Sequence, residues 1–301
     1  FQKIDVSEFS EHLINPDLVK KLIAEQFPEY AHLPIGSVRK QGHDNRTYRL
    51  GNDMLIRMPS AEYYALKVPK EQELLPLLKP YLSIDIPVPI KMGNPSHDYP
   101  FNFSIYKWLD GTSANLLKLN DKALESIAIQ LAKFLKELHG IVGIDGPSPG
   151  KHNGWGGDHV SVYDEGARKQ ISELSEIIDE YKAMELWEQA CKTKRNKIPV
   201  WIHGDFAFGN FLIKDGKLSG VIDFGGMAIG DPAGDLVIAW TFLKGKSREI
   251  FKHAIDLASD TWLRSRGWAL WKATFDLCET EDKNSAEALI QKRVIEEVLE
   301  D

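Results

Sequence analysis

The first third of the chain carries short runs of β-forming residues separated by turn residues. Residues 46–50 and 54–58 flank Gly51, Asn52 and Asp53, and this pattern predicts a β-hairpin. A further extended run covers residues 101–109. Between these runs, residues 68–79 are expected to form a short helix that Pro69 starts and that Pro76 kinks or interrupts.

From residue 120 onward the hydrophobic period becomes helical. Apolar residues from Leu124 to Leu138 recur every three or four positions, between an Asn-Asp start at residue 120 and Gly140, and predict a helix. Further helical patterns cover residues 167–191, 235–243, 250–266 and 285–299. Residues 141–157 are rich in Gly and Pro and are expected to form a loop.

Two short β elements are expected within this helical region: a strand at residues 200–203, and a hairpin of residues 211–214 and 218–223 around Asp215-Gly216. The patterns together predict an α+β protein with two lobes. A β-rich N-terminal lobe would cover residues 1–110, and a mostly helical C-terminal lobe would cover residues 111–301.

Composition narrows the class of function. The chain has 301 residues and is 43% hydrophobic, which is enough to build two lobes. Its net charge is −7 and its 37 Lys and Arg residues are dispersed, so we expect no nucleic-acid partner. The two cysteines, Cys191 and Cys278, show no metal-binding or disulfide spacing. Without a signal-like N-terminus or a long apolar run, neither export nor a membrane is expected, and a reducing cytoplasm fits best.

One ordered set of polar residues points to phosphoryl transfer. His203-Gly204-Asp205 is followed by Asn210, and Asp223 lies thirteen residues beyond Asn210. This reaction needs a carboxylate to orient the acceptor hydroxyl and oxygen ligands for Mg²⁺. Asp205 suits the first task, and Asn210 and Asp223 suit the second. Each residue alone could merely cap a turn or end a strand, but the ordered set favours catalysis.

At these motifs the chain resembles the aminoglycoside phosphotransferase family, which shares the protein-kinase-like fold with choline kinases and macrolide phosphotransferases. The family motifs His-Gly-Asp, four residues, Asn, and then Ile-Asp-Phe are both intact, and residues 230–236 resemble its Gly-Asp-Pro segment ending in Asp-Leu. The resemblance implies that Asp205 is the catalytic base and that Asn210 and Asp223 bind Mg²⁺. It also implies that His203 and Asp235 support the catalytic loop; Asp235 could instead cap the following helix.

The nucleotide end departs from the family pattern. Residues 41–48 lie where a loop would cover the phosphates, with Gly42, Asp44 and Asn45 as candidate contacts, although an ordinary polar turn is the alternative. The family has a lysine on the third strand that pairs with a glutamate on the next helix. Here Arg57 stands at that position, and an exposed strand arginine is the alternative reading. Glu71 is its natural partner and Glu73 is the less favoured one.

Residues 104–111 resemble the hinge between the lobes of such kinases. The resemblance implies that Tyr106 is the gatekeeper and that the backbones of Lys107 and Leu109 contact the purine. Backbone groups do not distinguish ATP from GTP, so both stay open as the co-substrate.

The acceptor is expected to bind in the C-terminal lobe, because Asp205 lies there. Carboxylates could bind a polycationic aminosugar and tryptophan faces could stack on it, although acidic residues on helices are more often solvated surface. The candidates are Asp158, Asp164, Glu165, Asp276, Glu279 and Glu281, with Trp155, Trp268 and Trp271.

The predicted function is Mg²⁺-dependent transfer of the γ-phosphate of ATP or GTP to a hydroxyl of an aminoglycoside-like, cationic substrate. The alternatives are a macrolide kinase, a metabolic kinase for choline, homoserine or a sugar, and a kinase-like protein that binds nucleotide without turnover.

Overall fold

A computed structural model of the chain describes residues 11–38, 41–42, 44–195 and 197–301. The chain divides into two compact units. The first unit comprises residues up to 110 together with 220–225, and the second comprises residues 111–219 and 226–301.

A five-stranded antiparallel sheet forms the centre of the first unit, with the strand order β1-β2-β3-β5-β4. Its strands are β1 Ile35–Ser37, β2 Asn45–Leu50, β3 Met54–Pro59, β4 Pro89–Gly93 and β5 Phe103–Lys107. Its helices are α1 Pro16–Gln26, α2 Glu62–Ala65 and α3 Lys67–Leu78.

The β2–β3 hairpin confirms the pattern read from the sequence. Its register runs from Asn45 opposite Pro59 to Leu50 opposite Met54, and Gly51 supplies the positive φ of +61° that the turn needs. Side chains that alternate along the two strands, including Tyr48 and Ile56, join a buried apolar cluster with residues of α1. The core on this face of the sheet fixes the register of β3 and therefore the direction of Arg57.

Helix α3 differs from the prediction at Pro76, which does not interrupt it. Pro76 lies within the helix, two residues before its last residue, Leu78. The missing backbone donor removes one hydrogen bond near the helix end, where few bonds follow it. Leu74, Leu75 and Leu78 are buried, so packing holds the last turn in place.

The second unit is mostly helical, and together with the antiparallel sheet it confirms the predicted α+β class. Its helices are α4 Asp121–His139, α5 Asp164–Glu173, α6 Glu180–Lys192, α7 Ile238–Thr241, α8 Gly245–Ile255, α9 Ser259–Glu279 and α10 Ala286–Glu300. The remaining strands are β6 Thr112–Ser113, β7 Val200–Ile202, β8 Phe211–Lys214, β9 Lys217–Val221 and β10 Ala228–Gly230. Strands β6, β8 and β9 form one small sheet, and β7 pairs with β10 in another.

Three of the helical patterns are divided in the structure. The predicted helix over residues 167–191 is two helices, because α5 ends at Glu173 and Asp179 caps the start of α6. The pattern over residues 250–266 breaks where Asp256 adopts a φ of +53° and ends α8. Residues 235–243 form the end of a 3₁₀ turn, Pro232–Val237, and then α7. Helical spacing continues across such short breaks, so periodicity alone did not reveal them.

Two predicted helix starts are confirmed by their caps. The side chain of Asn120 accepts a hydrogen bond from the backbone of Ala123, and that of Ser285 accepts one from Ala288. No helix in the part of the chain that the structure describes combines the length and the hydropathy needed to cross a membrane.

Candidate active site

The His203-Gly204-Asp205 segment directly follows strand β7 in the second unit. Gly204 has a φ of +80°, and a Cβ atom there would collide with the carbonyl oxygen of Gly226. Only glycine permits both the backbone conformation and this close approach. Asp205, the next residue, is exposed.

The buried carboxylate of Asp235 holds the His203-Gly204-Asp205 loop through its backbone. Its Oδ2 accepts a hydrogen bond from the His203 backbone N–H at 2.7 Å, and its Oδ1 accepts one from Gly204 at 2.9 Å. Burial raises the pKa of Asp235 above its ordinary value, although these donors oppose the shift. The alternative that Asp235 caps the following helix is wrong, because both of its carboxylate oxygens bind this loop and the next helix, α7, has no side-chain cap at its N-cap residue Val237.

Two further side chains fix Asp205. The buried His203 accepts the Asp205 backbone N–H at its Nδ1, at 3.2 Å. Asn210 Nδ2 donates to the backbone oxygen of Asp205 at 2.9 Å and to its carboxylate Oδ2 at 3.1 Å. The second unit therefore brings together His203, Asp205, Asn210 and Asp235. Because the amide nitrogen of Asn210 faces Asp205, its oxygen is the atom that a cation would bind.

Asp223 lies in the segment that groups with the first unit, two residues after the end of strand β9. It has a φ of +66°, a region that residues other than glycine seldom occupy. Its Oδ1 accepts a hydrogen bond from Arg57 Nη2 at 2.6 Å.

Arg57 lies on β3, with its side chain 18% exposed, so the alternative of an exposed strand arginine does not hold. Its Nη1 lies 3.4 Å and 3.5 Å from the two carboxylate oxygens of Glu71. The side-chain amide of Asn45 satisfies its hydrogen-bonding groups when its oxygen faces Arg57. That oxygen then accepts from Arg57 Nε at 3.1 Å and from Nη2 at 3.0 Å. Burial alone would lower the pKa of Arg57, but the carboxylates of Asp223 and Glu71 hold it above its ordinary value.

Glu71 is the buried partner of both Arg57 and Tyr106. The Tyr106 hydroxyl, which is buried on β5, donates a hydrogen bond to Glu71 Oε2. Burial and the charge of Glu71 raise the pKa of Tyr106 well above its ordinary value. Glu73 is exposed, which agrees with its lower rank as a partner. The first unit therefore joins Arg57, Glu71, Tyr106, Asn45 and Asp223 in one polar network.

The loop before β2 is tied to its surroundings at three points. Arg46 Nη1 donates to the Gly42 carbonyl at 2.7 Å, and Ser60 donates to the Asp44 carbonyl. The Asp44 carboxylate pairs with Lys67 Nζ at 3.2 Å. His43, within the same predicted loop, lies outside the described residues.

Backbone donors of the predicted hinge take part in the sheet and its loops. The N–H of Lys107 donates to the Val88 carbonyl at 2.9 Å, and that of Trp108 donates to the Asp53 carbonyl at 2.7 Å. Leu109 follows and is half-buried. A purine contact at Lys107 would therefore use its carbonyl oxygen.

The residues predicted to bind the acceptor differ in their exposure and in their side-chain partners. Trp268 is 6% exposed, so the prediction that it offers a flat surface is wrong. Trp271 stacks on Tyr163 with ring centroids 3.9 Å apart. Asp164 accepts bonds from Arg168 and Trp187, and Asp276 pairs with Lys272. Asp158 accepts the His159 backbone N–H at 2.6 Å.

Four acceptor candidates remain. Trp155 is half-buried and has a φ of +58°. Glu165, Glu279 and Glu281 are exposed at the surface.

Two lysines on α3 were missed by the sequence reasoning. Lys67 pairs with Asp44, and Lys70 Nζ donates to the Gly225 carbonyl at 2.7 Å. Burial lowers the pKa of Lys70 to about 8. The place of Lys67 four residues before Glu71 could have marked it, because residues four apart share a helix face, whereas Lys70, next to Glu71 in the chain, carries no such signal.

The family model of the phosphotransferase enzyme family matches residues 36–269. The chain belongs to this family. Membership in the phosphotransferase family confirms the resemblance drawn from the His-Gly-Asp and Ile-Asp-Phe motifs.

Curated relatives match part of this phosphotransferase-family chain. An aminoglycoside 3'-phosphotransferase of Escherichia coli is 31% identical over 126 residues, which is 40% of this chain and 44% of the relative. One from Salmonella typhimurium matches with the same identity and coverage. The alignments therefore span less than half the length of these relatives.

Solved structures share the fold along nearly the whole chain. A GDP complex of a mutant aminoglycoside 2'-phosphotransferase-IIIa superposes with a TM-score of 0.69 at 24% identity, covering 95% of both chains. The ternary complex of streptomycin, ATP and APH(2'')-IIa has a TM-score of 0.61 at 20% identity, over 95% of this chain and 97% of that one. A macrolide 2'-phosphotransferase of Brachybacterium faecium has a TM-score of 0.58 at 17% identity, over 93% and 97%.

Proposed function

We propose that this protein is a small-molecule kinase that transfers the γ-phosphoryl group of ATP or GTP to a hydroxyl of an aminoglycoside-like substrate. The observation that carries this proposal is the fixed, exposed carboxylate of Asp205. His203 holds its backbone and Asn210 holds both its backbone and its side chain. A carboxylate that is accessible and oriented is what the acceptor hydroxyl requires.

In the proposed reaction, Asp205 accepts the proton of the acceptor hydroxyl. The acceptor oxygen forms the new bond to the γ-phosphorus, and the bond from that phosphorus to the β–γ bridging oxygen breaks. The products are a phosphorylated acceptor and a nucleoside diphosphate. The protein contributes orientation and charge, which supply most of the catalysis in this class of reaction.

Asn210 and Asp223 are the residues we assign to Mg²⁺. Their amide and carboxylate oxygens are the donors that this hard cation prefers, so the residues present fit the metal. Among the described residues, no group of three or more His, Cys, Asp or Glu side chains could hold a metal ion. Phosphate oxygens would therefore complete the coordination, and the bound cation would neutralise charge on the β- and γ-phosphates.

Arg57 is the proposed anchor for the nucleotide phosphates, oriented by Glu71 and, through Glu71, by Tyr106. The loop that includes Gly42, Asp44 and Asn45 would cover the phosphates. The hinge backbone at Lys107 and Leu109 would meet the base. Similar folds were solved with GDP and with ATP, which supports a nucleotide co-substrate without choosing between the two.

The aminoglycoside acceptor rests on the names of the relatives and on charge. Both curated relatives are aminoglycoside phosphotransferases, and the net charge of −7 favours a cationic substrate. The fold is also shared with a macrolide phosphotransferase, so a macrolide is the second candidate acceptor.

A coupled turnover screen tests the function. Aminoglycosides, macrolides, amino alcohols and sugars are offered with ATP and GTP in parallel, with Asp205→Asn as the inactive control. We expect turnover with an aminoglycoside, and an apparent KM that rises steeply with salt. Turnover only with neutral acceptors would remove the aminoglycoside and keep the kinase. Nucleotide binding without turnover on any acceptor would favour the non-catalytic alternative.

A further inference from the structure

Lys67 is the first residue of α3, and its side chain is 20% exposed. Its Nζ lies 3.2 Å from Asp44 Oδ2, and 5.5 Å and 5.2 Å from the ring centroids of Tyr63 and Tyr64. The ammonium therefore faces a loop carboxylate and two aromatic rings, and each of these favours a cation there.

The stem of Lys67 runs beside the segment that carries Asp223. A Cβ atom on Gly225 would lie 2.8 Å from Lys67 Cδ, so the two are in close contact. A small cavity in the first unit is lined by Lys67 and Arg57 together with five other residues. These are Asn45, Tyr64, Val68, Glu71 and Ser104. Lys67 thus adjoins the two features to which the proposed function assigns the phosphates, the loop before β2 and Arg57. It also adjoins the Asp223 segment, which is assigned to Mg²⁺.

The charges of this cluster indicate that the phosphates need a second cation beside Arg57. Arg57 is bound by two carboxylates, Glu71 and Asp223, so its charge is already compensated. A nucleoside triphosphate brings several more negative charges to the same place. A carboxylate such as Asp44 beside those phosphates would repel them, whereas the ammonium that it now binds would attract them.

We propose that Lys67 is a second cationic ligand for the phosphates of the nucleotide. In the free protein the Asp44 carboxylate pairs with the Lys67 ammonium, and the nucleotide phosphates displace that carboxylate when they bind. The inference rests on the proposed function. The exchange substitutes one anion for another at Lys67, so the cation is never left unpaired, and it releases Asp44 from the phosphate site.

The competing explanation is that the Lys67–Asp44 pair only ties the loop to α3. The two explanations differ in their predictions for the two partners. A structural tie is lost equally when either side is neutralised, so Lys67→Met and Asp44→Asn would weaken nucleotide binding alike. If Lys67 binds phosphate, Lys67→Met weakens nucleotide binding, whereas Asp44→Asn tightens it, because the carboxylate that competes for the ammonium is gone.

Titration calorimetry of ATP, GTP and the corresponding nucleosides decides between them. We expect Lys67→Met to raise the triphosphate Kd about 10- to 100-fold, the scale of one charge-assisted contact, and to leave nucleoside binding unchanged. Lys79→Met is the matched control, because Lys79 follows the same helix and pairs with Asp85. Parent-like binding by Lys67→Met, or equal losses in the two variants, overturns the inference alone. A parent that binds neither triphosphate overturns the proposed function as well.

Discussion

Arg57 donates a hydrogen bond to Asp223 across 2.6 Å. The residue at the position where the family resemblance predicts a lysine therefore holds the carboxylate that we assign to Mg²⁺. A guanidinium presents several donors in a rigid plane, so it can bind Asp223 and Glu71 at once, which the compact ammonium of a lysine does less well. The substitution is accommodated by a network in the first unit rather than by a single pair.

Replacing Arg57 tests its role at the phosphates. Arg57→Ala should raise the nucleotide KM and lower kcat, because both binding and phosphate alignment would suffer. Arg57→Lys should recover only part of the loss, since it restores the charge without the planar fork. Steady-state kinetics of the three proteins with nucleotide varied gives the result.

An alanine variant that binds and turns over nucleotide like the parent would show that Arg57 serves only the fold. The anchoring role would then pass to Lys67 or Arg46; Lys40, another candidate from the sequence, lies outside the described residues. An inactive parent that gains activity on Arg57→Lys would instead support the non-catalytic alternative.

Asp205→Asn is expected to lower kcat by roughly 100-fold or more, the usual scale for a positioned acid–base group. Because Asp205 is exposed, the thermal midpoint and the nucleotide Kd should stay close to the parent values. Single-turnover kinetics and a thermal melt on the same preparation separate the two effects. A folded variant with near-normal kcat would remove Asp205 from the mechanism.

Mg²⁺ should bind mainly together with the nucleotide, because Asn210 and Asp223 supply too few ligands for a tight protein-only site. Calorimetry with Mg²⁺ alone, with nucleotide alone and with both should show measurable metal binding only in the last case. Asp223→Ala should weaken the metal-dependent part of nucleotide binding. Tight metal binding without nucleotide, unaffected by Asp223→Ala, would place the metal elsewhere.

The sequence was most informative where chemistry is encoded locally. Asp205 and Asn210 lie within one loop, and their contact in the structure follows a spacing that is visible in the chain. The helix α4 was predicted because its apolar face and its Asn120 cap are both local signals.

Features that depend on distant partners were not predictable in the same way. Lys67 and Asp44 are 23 residues apart in the sequence and meet only in the folded chain. The burial of Trp268 likewise depends on tertiary packing. A single sequence shows residue types and spacings, but it does not show which faces of its helices and strands other parts of the chain will cover.

The last prediction concerns His139, which ends α4 beside a buried ionic cluster. Its Nε2 atom is buried without a hydrogen-bond partner among the described residues. Burial, and then the charge of Arg195, lower the pKa of His139 to about 4, although Asp231 opposes the shift. Asp231 itself is paired with Arg195 at 3.0 Å and with Arg264 at 2.5 Å, so its charge is largely compensated.

The sign of the pH dependence follows from this depressed pKa. Between pH 6.5 and about 4 the unfolded chain protonates His139 while the folded chain does not, so the free energy of unfolding falls as the pH falls through this window. The contribution is fully present above pH 6.5 and amounts to roughly 3 kcal/mol. The glutamine of His139→Gln stays neutral at every pH. In this variant the part of the fall in the free energy of unfolding that comes from protonation of His139 should therefore be absent.

Urea unfolding of the parent and of His139→Gln at a series of pH values from 4.5 to 8 measures the difference directly. The difference in the free energy of unfolding should be constant above pH 7 and should shift in favour of the variant as the pH falls below 6.5. His253→Gln, at an exposed position of α8, controls for the substitution itself. A parent-minus-variant difference that is flat across the whole range would mean that His139 gains its proton in the folded protein as readily as in the unfolded chain. The cluster of Asp231 with Arg195 and Arg264 would then have to accept a neighbouring positive charge without cost, contrary to the burial and the charges described here.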